Sequence, residues 1–314
     1  MGYRVHSSVL RSGVAVCLLL GGTGCERSAT PVTRDATTSA LAVIDDAGDT
    51  LRLAAPATRV LALVPSVTDL LIALDVAPRI VGRTRYDVDP RTAMAPDVGG
   101  GLDPNIEAIV GLKPEVVFTW ASDKRAELAQ QLRAAGVGVF AIAQQDTADA
   151  FRSITQVARI LGRDSAGVVL SDSLRRAFHA VAASVTGRPR PRVFYVVSAD
   201  PPMGAGPATF IGQLLEVAGA RNVVAPADGD WPVLSMETVL ARNPDVLVLP
   251  RGESADASGD LLRERAGWKA LRAVQAGRVV QIDANLANRP GPRMGEAAAL
   301  LRDLLHPDAV SARP

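Results

Sequence analysis

A chain of 314 residues with 34 basic and 33 acidic side chains carries a net charge of +1, too little to draw it to nucleic acid. Its length allows one large or two ordinary domains, and its 48% apolar content belongs to a folded globular protein rather than a disordered chain. Only 4% of the residues are aromatic, so each exposed tryptophan or tyrosine is informative about where a site lies.

The chain opens with Arg4 and Arg11 ahead of the apolar run Val14-Ala-Val-Cys-Leu-Leu-Leu20, followed by small residues and Cys25. This is an export-signal pattern, too short to span a membrane. Its end, Gly22-Thr-Gly-Cys25, looks like a bacterial lipoprotein cleavage site at which Cys25 becomes the lipidated first residue; the alternative is a soluble exported protein cut nearby. Either places the mature protein in the periplasm or on the outer face of the cytoplasmic membrane. Within this 1–25 signal region Cys17 falls in the part removed by cleavage, which leaves at most one mature cysteine, Cys25, and no internal disulfide. Residues 26–40, rich in Ser, Thr, Ala and Pro, are read as a tether.

A first lobe is predicted over 41–146. Leu41–Leu53 forms a hairpin turning at Asp46-Ala-Gly-Asp49. A buried strand at Arg59–Val64 leads to a helix from Ser66 to Leu74 with Ser66 as its cap, and then to strand Ile80–Gly82. A polar loop carrying Tyr86 and the turn Gly99-Gly-Gly101 precede the stretch Asn105–Phe118. There Asn105 caps a short helix, Glu107 takes its second position, and Pro114 separates it from a strand that ends at Trp120. Helix Lys124–Ala135, closed by Gly136, and strand Val137–Ile142 complete the lobe.

Residues 147–187 hold two helices, Asp149–Leu161 and Ser165–Ser184, and no strand; the second reads as a rigid spine. A second lobe, 188–314, then restarts the pattern. Arg192-Val-Phe-Tyr-Val-Val197 echoes Arg59-Val-Leu-Ala-Leu-Val64, and helix Phe210–Ala218 follows. Ser235–Val248 repeats Asn105–Phe118, with Glu237 in the place of Glu107 and Pro244 in that of Pro114. A helix around Trp268–Ala273 with Trp268 in the core, strand Arg278–Ile282 and a last helix Arg293–Leu305 finish the chain. The fold class is therefore α/β: two Rossmann-like lobes with parallel-type sheets, joined by a long spine helix, with a ligand cleft between them.

Catalytic chemistry finds little support. The histidines are His6 in the signal, His179 on the spine, read as solvated, and His306 near the end; none follows a strand, where α/β sites gather. No Gly-x-Ser-x-Gly elbow and no Cys or His cluster of metal-ligand spacing occurs. Gly204-Ala-Gly206 begins like a dinucleotide fingerprint, but Pro207 and Thr209 break it into a loop. No catalytic residue and no metal site is assigned.

Carboxyl ends of parallel strands face the crevice where α/β proteins bind ligands. Trp120 ends the strand of the first repeated stretch, Tyr86 follows a first-lobe strand and Trp231 lies just before the helix of the second repeated stretch. They either fill packing gaps or cover a flat apolar ligand, in which case each indole buries ~150–250 Å². Arg289-Pro-Gly-Pro-Arg293 offers two guanidiniums that either bind an anionic edge of such a ligand or lie solvated. Glu107 and Glu237 complement their helix starts; duplicated on matched lobes, they also form a surface that a two-fold symmetric partner could grip with arginines.

From Arg59 to His306 the chain resembles the periplasmic substrate-binding proteins with a helical backbone, the class III receptors that serve ABC importers of cobalamin, haem and iron–siderophores. The resemblance rests on Arg59-Val-Leu-Ala-Leu-Val-Pro-Ser-Val-Thr-Asp69, Asn105-Ile-Glu107 with Leu112-Lys-Pro114, and Phe210-Ile-Gly-Gln-Leu-Leu-Glu-Val-Ala-Gly219 with Asn222. Trp231-Pro232, Glu237 and Arg289-Pro-Gly-Pro-Arg293 complete the set. It implies a monomeric receptor whose Glu107 and Glu237 dock with an ABC permease dimer. It also implies a corrinoid ligand without further cofactor, since Tyr86, Trp120 and Trp231 match aromatic positions of cobalamin binders; Ser66, Arg289 and Arg293 are grouped with them as ligand-binding positions. Two positions depart from that pattern: a further cleft tryptophan is replaced near Gly101, and the tyrosine often found before Pro90 is Asp89, which also counts against haem. The alternatives are a haem or ferric-siderophore receptor of the same architecture and, from another class, an α/β hydrolase or chelatase.

Overall fold

The computed structural model describes residues 41–252 and 259–307. The export signal, Cys25 and the tether lie outside the described residues. The first lobe opens on an antiparallel hairpin, β1 (Leu41–Ile44) and β2 (Thr50–Leu53), with Leu41 opposite Leu53. Asp45 closes its turn by accepting from Ala47 N at 3.0 Å and Asp49 N at 2.8 Å. The second oxygen of Asp45 accepts from Ala141 N at 3.0 Å and so fastens the hairpin to the lobe.

The main sheet of this lobe comprises β3 (Val60–Ala62), β4 (Ile80–Gly82), β5 (Val116–Trp120) and β6 (Gly138–Ile142). They run parallel in the order β4-β3-β5-β6. Val60, Leu61 and Ala62 are all buried, the signature of a strand covered on both faces. Helices α1 (Pro65–Ala73), α2 (Ile106–Gly111) and α3 (Ala126–Ala134) supply the crossovers. Ser66 is not the cap of α1. The helix begins one residue earlier at Pro65, whose fixed φ suits a first helical position, and Val64 is the N-cap without a side-chain hydrogen bond.

Helices α4 (Thr147–Ile160) and α5 (Asp164–Ser184) form the connection. At 21 residues, α5 is about 31 Å long. The second lobe continues with β7 (Arg192–Ala199), β8 (Pro202–Gly204), α6 (Phe210–Val217), β9 (Arg221–Asn222), α7 (Met236–Arg242) and β10 (Val246–Arg251). It ends with α8 (Gly259–Glu264), α9 (Arg272–Gln275), β11 (Val279–Asp283), α10 (Ala284–Ala287) and α11 (Met294–Leu305). Strands β11, β10, β7 and β9 pair in parallel, while β8 folds back antiparallel on β7. The helix expected around Trp268–Ala273 is instead a 3₁₀ turn, Trp268–Ala270, and the separate α9. Leu271 breaks it by taking an extended backbone, ψ 136°, that buries its side chain. Trp268 is core as expected, its Nε1–H donating to Ala199 O at 3.2 Å.

Two glycines let the spine be gripped on both flanks. A Cβ at Gly167 of α5 would stand 2.6 Å from Ala158 Cβ of α4, and one at Gly295 of α11 would stand 2.9 Å from Ala177 Cβ of α5. One buried apolar cluster runs from Val43 and Val60 in the first lobe through Leu174 and Val181 of the spine to Leu214 and Leu301 in the second. The lobes are therefore fused along a common core, which favours limited lobe motion over wide hinge opening.

The duplicated stretches fold alike. Asn105 Oδ1 accepts from Ala108 N at 2.9 Å, and Ser235 Oγ accepts from Thr238 N at 3.1 Å. Each helix leaves through a left-handed residue, Lys113 at φ 50° and Asn243 at φ 41°, placed just before the proline. Glu107 and Glu237 are both exposed, and Ile109 and Val239, two positions further on, are both buried.

Candidate functional site

The carboxyl ends of the parallel strands in the two lobes line a cleft of about 680 Å³. From the first lobe come Trp120, Ala121 and Ser122 after β5, and Ile142 to Gln145 after β6. Opposite them stand Tyr195 and Val197 of β7, Phe210 and Ile211 at the start of α6, and Trp231, Pro250 and Asn288. Ligands of α/β proteins collect at this end of a sheet because strand side chains give way there to loops and helix starts.

Trp120 and Trp231 thus face one cavity from different lobes. They come from non-equivalent places in the repeat, the end of a strand in one lobe and the loop before a helix in the other. Gly101 explains the position of Trp120: a Cβ there would lie 2.6 Å from indole atoms Cη2 and Cζ3, so the ring rests against bare backbone. Trp231 is 43% exposed. Its flanking residues are pinned by Gly206 N donating to Asp230 O at 2.7 Å and Gly204 N donating to Pro232 O at 3.2 Å. An indole held by its backbone but open to solvent is a surface available to cover.

The floor is polar and built across the lobes. Gln144 Nε2 donates to Ser66 Oγ at 2.5 Å and to Pro290 O at 3.3 Å. Phe210 N donates to Gln145 O at 2.7 Å, and Thr147 N donates to Gln213 Oε1 at 3.0 Å. Tyr195 donates its hydroxyl to Asn288 Oδ1 at 2.6 Å, and burial pushes its phenol well above the usual range, so it remains a neutral donor. Lys124 and Arg125 stand at the rim. Side-chain amides, hydroxyls and indoles in this proportion bind a largely apolar ligand edged with hydrogen-bonding groups.

Ser66, Tyr86, Arg289 and Arg293 do not line the cleft cavity. Ser66 is buried and acts behind it by holding Gln144. Tyr86 is 45% exposed beside Gly100, with the Arg85 guanidinium 6.0 Å from its ring centre. Arg289 reaches from the second lobe to Asp69 of α1 at 3.3 Å and donates to Tyr86 O at 2.8 Å. Arg293 pairs with Glu296 at 2.8 Å on the first turn of α11. Burial pushes the Asp69 carboxyl above its ordinary range against the pull of Arg289. Burial does the same to Asp87, although Thr84 N and Oγ1 donate to it at 2.6 and 2.8 Å.

Tyr195, Gln144, Gln145 and Asn288 were not singled out from sequence. Tyr195 is hidden inside an apolar strand run, but the polar pair Gln144-Gln145, one residue past the end of β6, carries a usable signal, because residues just beyond a buried parallel strand point into the crevice. Among the described residues no group of three or more His, Cys, Asp or Glu side chains could hold a metal ion. No described helix is long and apolar enough to cross a membrane.

The periplasmic binding protein family model matches residues 60–286. A cobalamin-binding protein of Halobacterium salinarum is 31% identical over 260 residues, covering 79% of this chain and 69% of that protein. An ABC transporter substrate-binding lipoprotein of Bacillus subtilis is 28% identical over 257 residues, 80% of each chain. Among solved structures, the apo form of a periplasmic heme-binding protein from Roseiflexus superposes with a TM-score of 0.71 at 27% identity, over 80% of this chain and 98% of that one. With its paired α/β lobes, helical backbone and interlobe cleft, the chain belongs to the periplasmic binding protein family, in the class III group that the cobalamin binders share.

Proposed function

We propose that the protein is the extracytoplasmic substrate-binding receptor of an ABC importer, that it captures cobalamin or a related corrinoid between its lobes, and that it is held to the membrane by a lipid on Cys25. The observation that carries the ligand is the pairing of Trp120 and Trp231 across one cleft with Gln144, Gln145 and Asn288 around it. A corrinoid is a flat macrocycle edged with amides, and this lining offers it two indole faces and an amide rim. Burying ~150–250 Å² of each indole contributes several kcal/mol at ~25 cal/mol/Å², before the costs of association. The likeness to a cobalamin-binding protein supports the same choice.

Haem is the second reading, favoured by the likeness to a heme-binding neighbour. It needs an iron ligand, and among the described residues the cleft lining holds no His, Cys or Met. Its tyrosine, Tyr195, is already bonded to Asn288 and resists ionisation through burial.

Delivery is assigned to Glu107 and Glu237, exposed at the same position of the repeated helices α2 and α7 and suited to arginine sockets on the two halves of a permease dimer. Calorimetric titration of the purified protein with cyanocobalamin, cobinamide, haemin and a panel of ferric siderophores tests the ligand. Saturable corrinoid binding with tryptophan quenching, weakened about tenfold or more in Trp120→Ala and in Trp231→Ala, is expected. Haemin binding with a tyrosinate–iron absorption band and no corrinoid binding would replace this reading with the second.

A further inference from the structure

Away from the cleft, at the amino ends of β7 and β11, an arginine donates to a carbonyl at the carboxyl end of α5, another to one at the end of α11, and a third to one in the turn that follows α6. Arg188 Nε donates to Ser184 O at the end of α5 at 3.2 Å. Arg190 Nε donates to Ala220 O, just beyond α6, at 3.2 Å. Arg278 Nη2 donates to Leu305 O at the end of α11 at 3.3 Å. These bonds suit helix carboxyl ends, where unpaired carbonyls carry partial negative charge.

The three guanidiniums border a depression of about 500 Å³ whose other polar walls are His306 and Asp245. Asp245 gives the depression little negative charge, because it already accepts from Arg192 and pairs with Arg272. Arg190 is balanced by Glu216. Among the described residues neither Arg188 nor Arg278 is paired with a carboxylate. His306 adds no acid: its ring Nε2 is 3.1 Å from Ala218 O, and burial, together with the positive charges of Arg188 and Arg278, holds the imidazole neutral. Each guanidinium has five N–H donors; Arg188 and Arg278 each give one to a carbonyl and keep several directed elsewhere, while Arg190 donates twice to Ala220 O and once to Glu216. The carbonyl anchor also removes part of the rotamer freedom that an arginine loses on binding.

We propose that this depression is an anion-binding site for a phosphate-bearing ligand, clamped by Arg188 and Arg278 with Arg190 at its edge. Two full positive charges outweigh the partial charges of the helix ends, and planar donor forks match phosphate oxygens. A free phosphate compound and the headgroup of an anionic phospholipid present the same chemistry. The site is independent of the corrinoid cleft, which lies at the other end of the strands.

The test titrates the purified protein with inorganic pyrophosphate at low salt and, separately, sediments it with phosphatidylglycerol or phosphatidylcholine vesicles. The variant Arg188→Gln with Arg278→Gln is compared with Arg159→Gln plus Arg176→Gln, which removes the same charge from exposed helix positions. Saturable pyrophosphate binding, reduced about tenfold or more only in the first pair, is expected and identifies a discrete anion site. Sedimentation with phosphatidylglycerol alone, lost only in the first pair, identifies the headgroup as the source. Absence of both, or equal loss in the two pairs, overturns the proposal. Unchanged melting temperature and unchanged cleft binding in the first pair establish that its fold is intact.

Discussion

Arg289 of the second lobe and Asp69 of the first stand 3.3 Å apart, with the arginine side chain only 14% exposed. The same guanidinium donates to Tyr86 O at 2.8 Å and to Asn285 Oδ1 at 2.7 Å, so one side chain joins α1, the loop after β4 and α10. Two residues along, a Cβ at Gly291 would lie 3.3 Å from Ser66 O. The loop therefore sews the lobes together at a point distinct from the spine helix.

Removing the arginine should cost more than removing both charges. Arg289→Gln leaves Asp69 partly buried without its partner. Breaking a fully buried pair costs about 3–5 kcal/mol; with Asp69 23% exposed, a loss of about 1–3 kcal/mol is expected in denaturant unfolding. The double change Arg289→Gln with Asp69→Asn should recover part of that loss. Equal stability of all three proteins would mean that the clasp contributes nothing.

Acid sensitivity should trace to two equivalent carboxylates. Glu115 Oε2 accepts from Thr58 N at 2.6 Å and Arg59 N at 3.1 Å, while Asp245 Oδ2 accepts from Arg192 N at 2.9 Å. Burial pushes both carboxyls upward, but the hydrogen bonds and nearby arginines prevail, and both end below their ordinary range. A depressed folded pKa adds stability that is complete above the unfolded value and disappears as pH falls through the folded one. Glu115→Gln with Asp245→Asn should therefore lower the melting temperature at neutral pH and shrink the further drop on acidification to pH ~3. An identical acid drop in the unsubstituted protein and the double variant would exclude these groups as the cause.

The repeat is legible in sequence because local rules fix it: an Asn or Ser cap, a proline that stops the helix and an apolar run that becomes a central strand. Trp120 is legible as a site residue because it ends a buried strand, and Trp231 because it stands in the loop that leads into a repeated helix. Arg289 is different. Its partners, Asp69 and Tyr86, lie about 200 residues away in the chain, and no spacing rule connects them. Tyr195 is equally hidden, since a strand buried on both faces gives no alternation to mark the residue that reaches the crevice. Strands β8 and β9 are too short, at three and two residues, to leave a pattern at all.

Docking and capture should separate cleanly. Glu107 and Glu237 lie on α2 and α7, and neither lines the cleft. Glu107→Arg and Glu237→Arg should leave corrinoid affinity within about twofold while abolishing transport by a reconstituted permease, as expected when like charges face each other. Each single change should impair transport, because a two-fold symmetric partner needs both ends. Full transport by the double variant would remove these residues from the interface.

Gly101 should control the cleft through Trp120. An added Cβ would lie 2.1 Å from Leu63 O and 2.6 Å from the indole, so Gly101→Ala must move either backbone or ring. Overpacking of this kind costs about 1–3 kcal/mol, and the shifted indole should change the emission maximum and weaken ligand quenching. Trp120→Phe separates the two effects, since a smaller ring relieves the indole contact without touching Leu63. If Gly101→Ala combined with Trp120→Phe is as unstable as Gly101→Ala alone, the backbone contact dominates; recovery of stability assigns the strain to the ring. Unaltered emission and quenching in Gly101→Ala would show that Trp120 does not depend on the glycine for its place in the cleft.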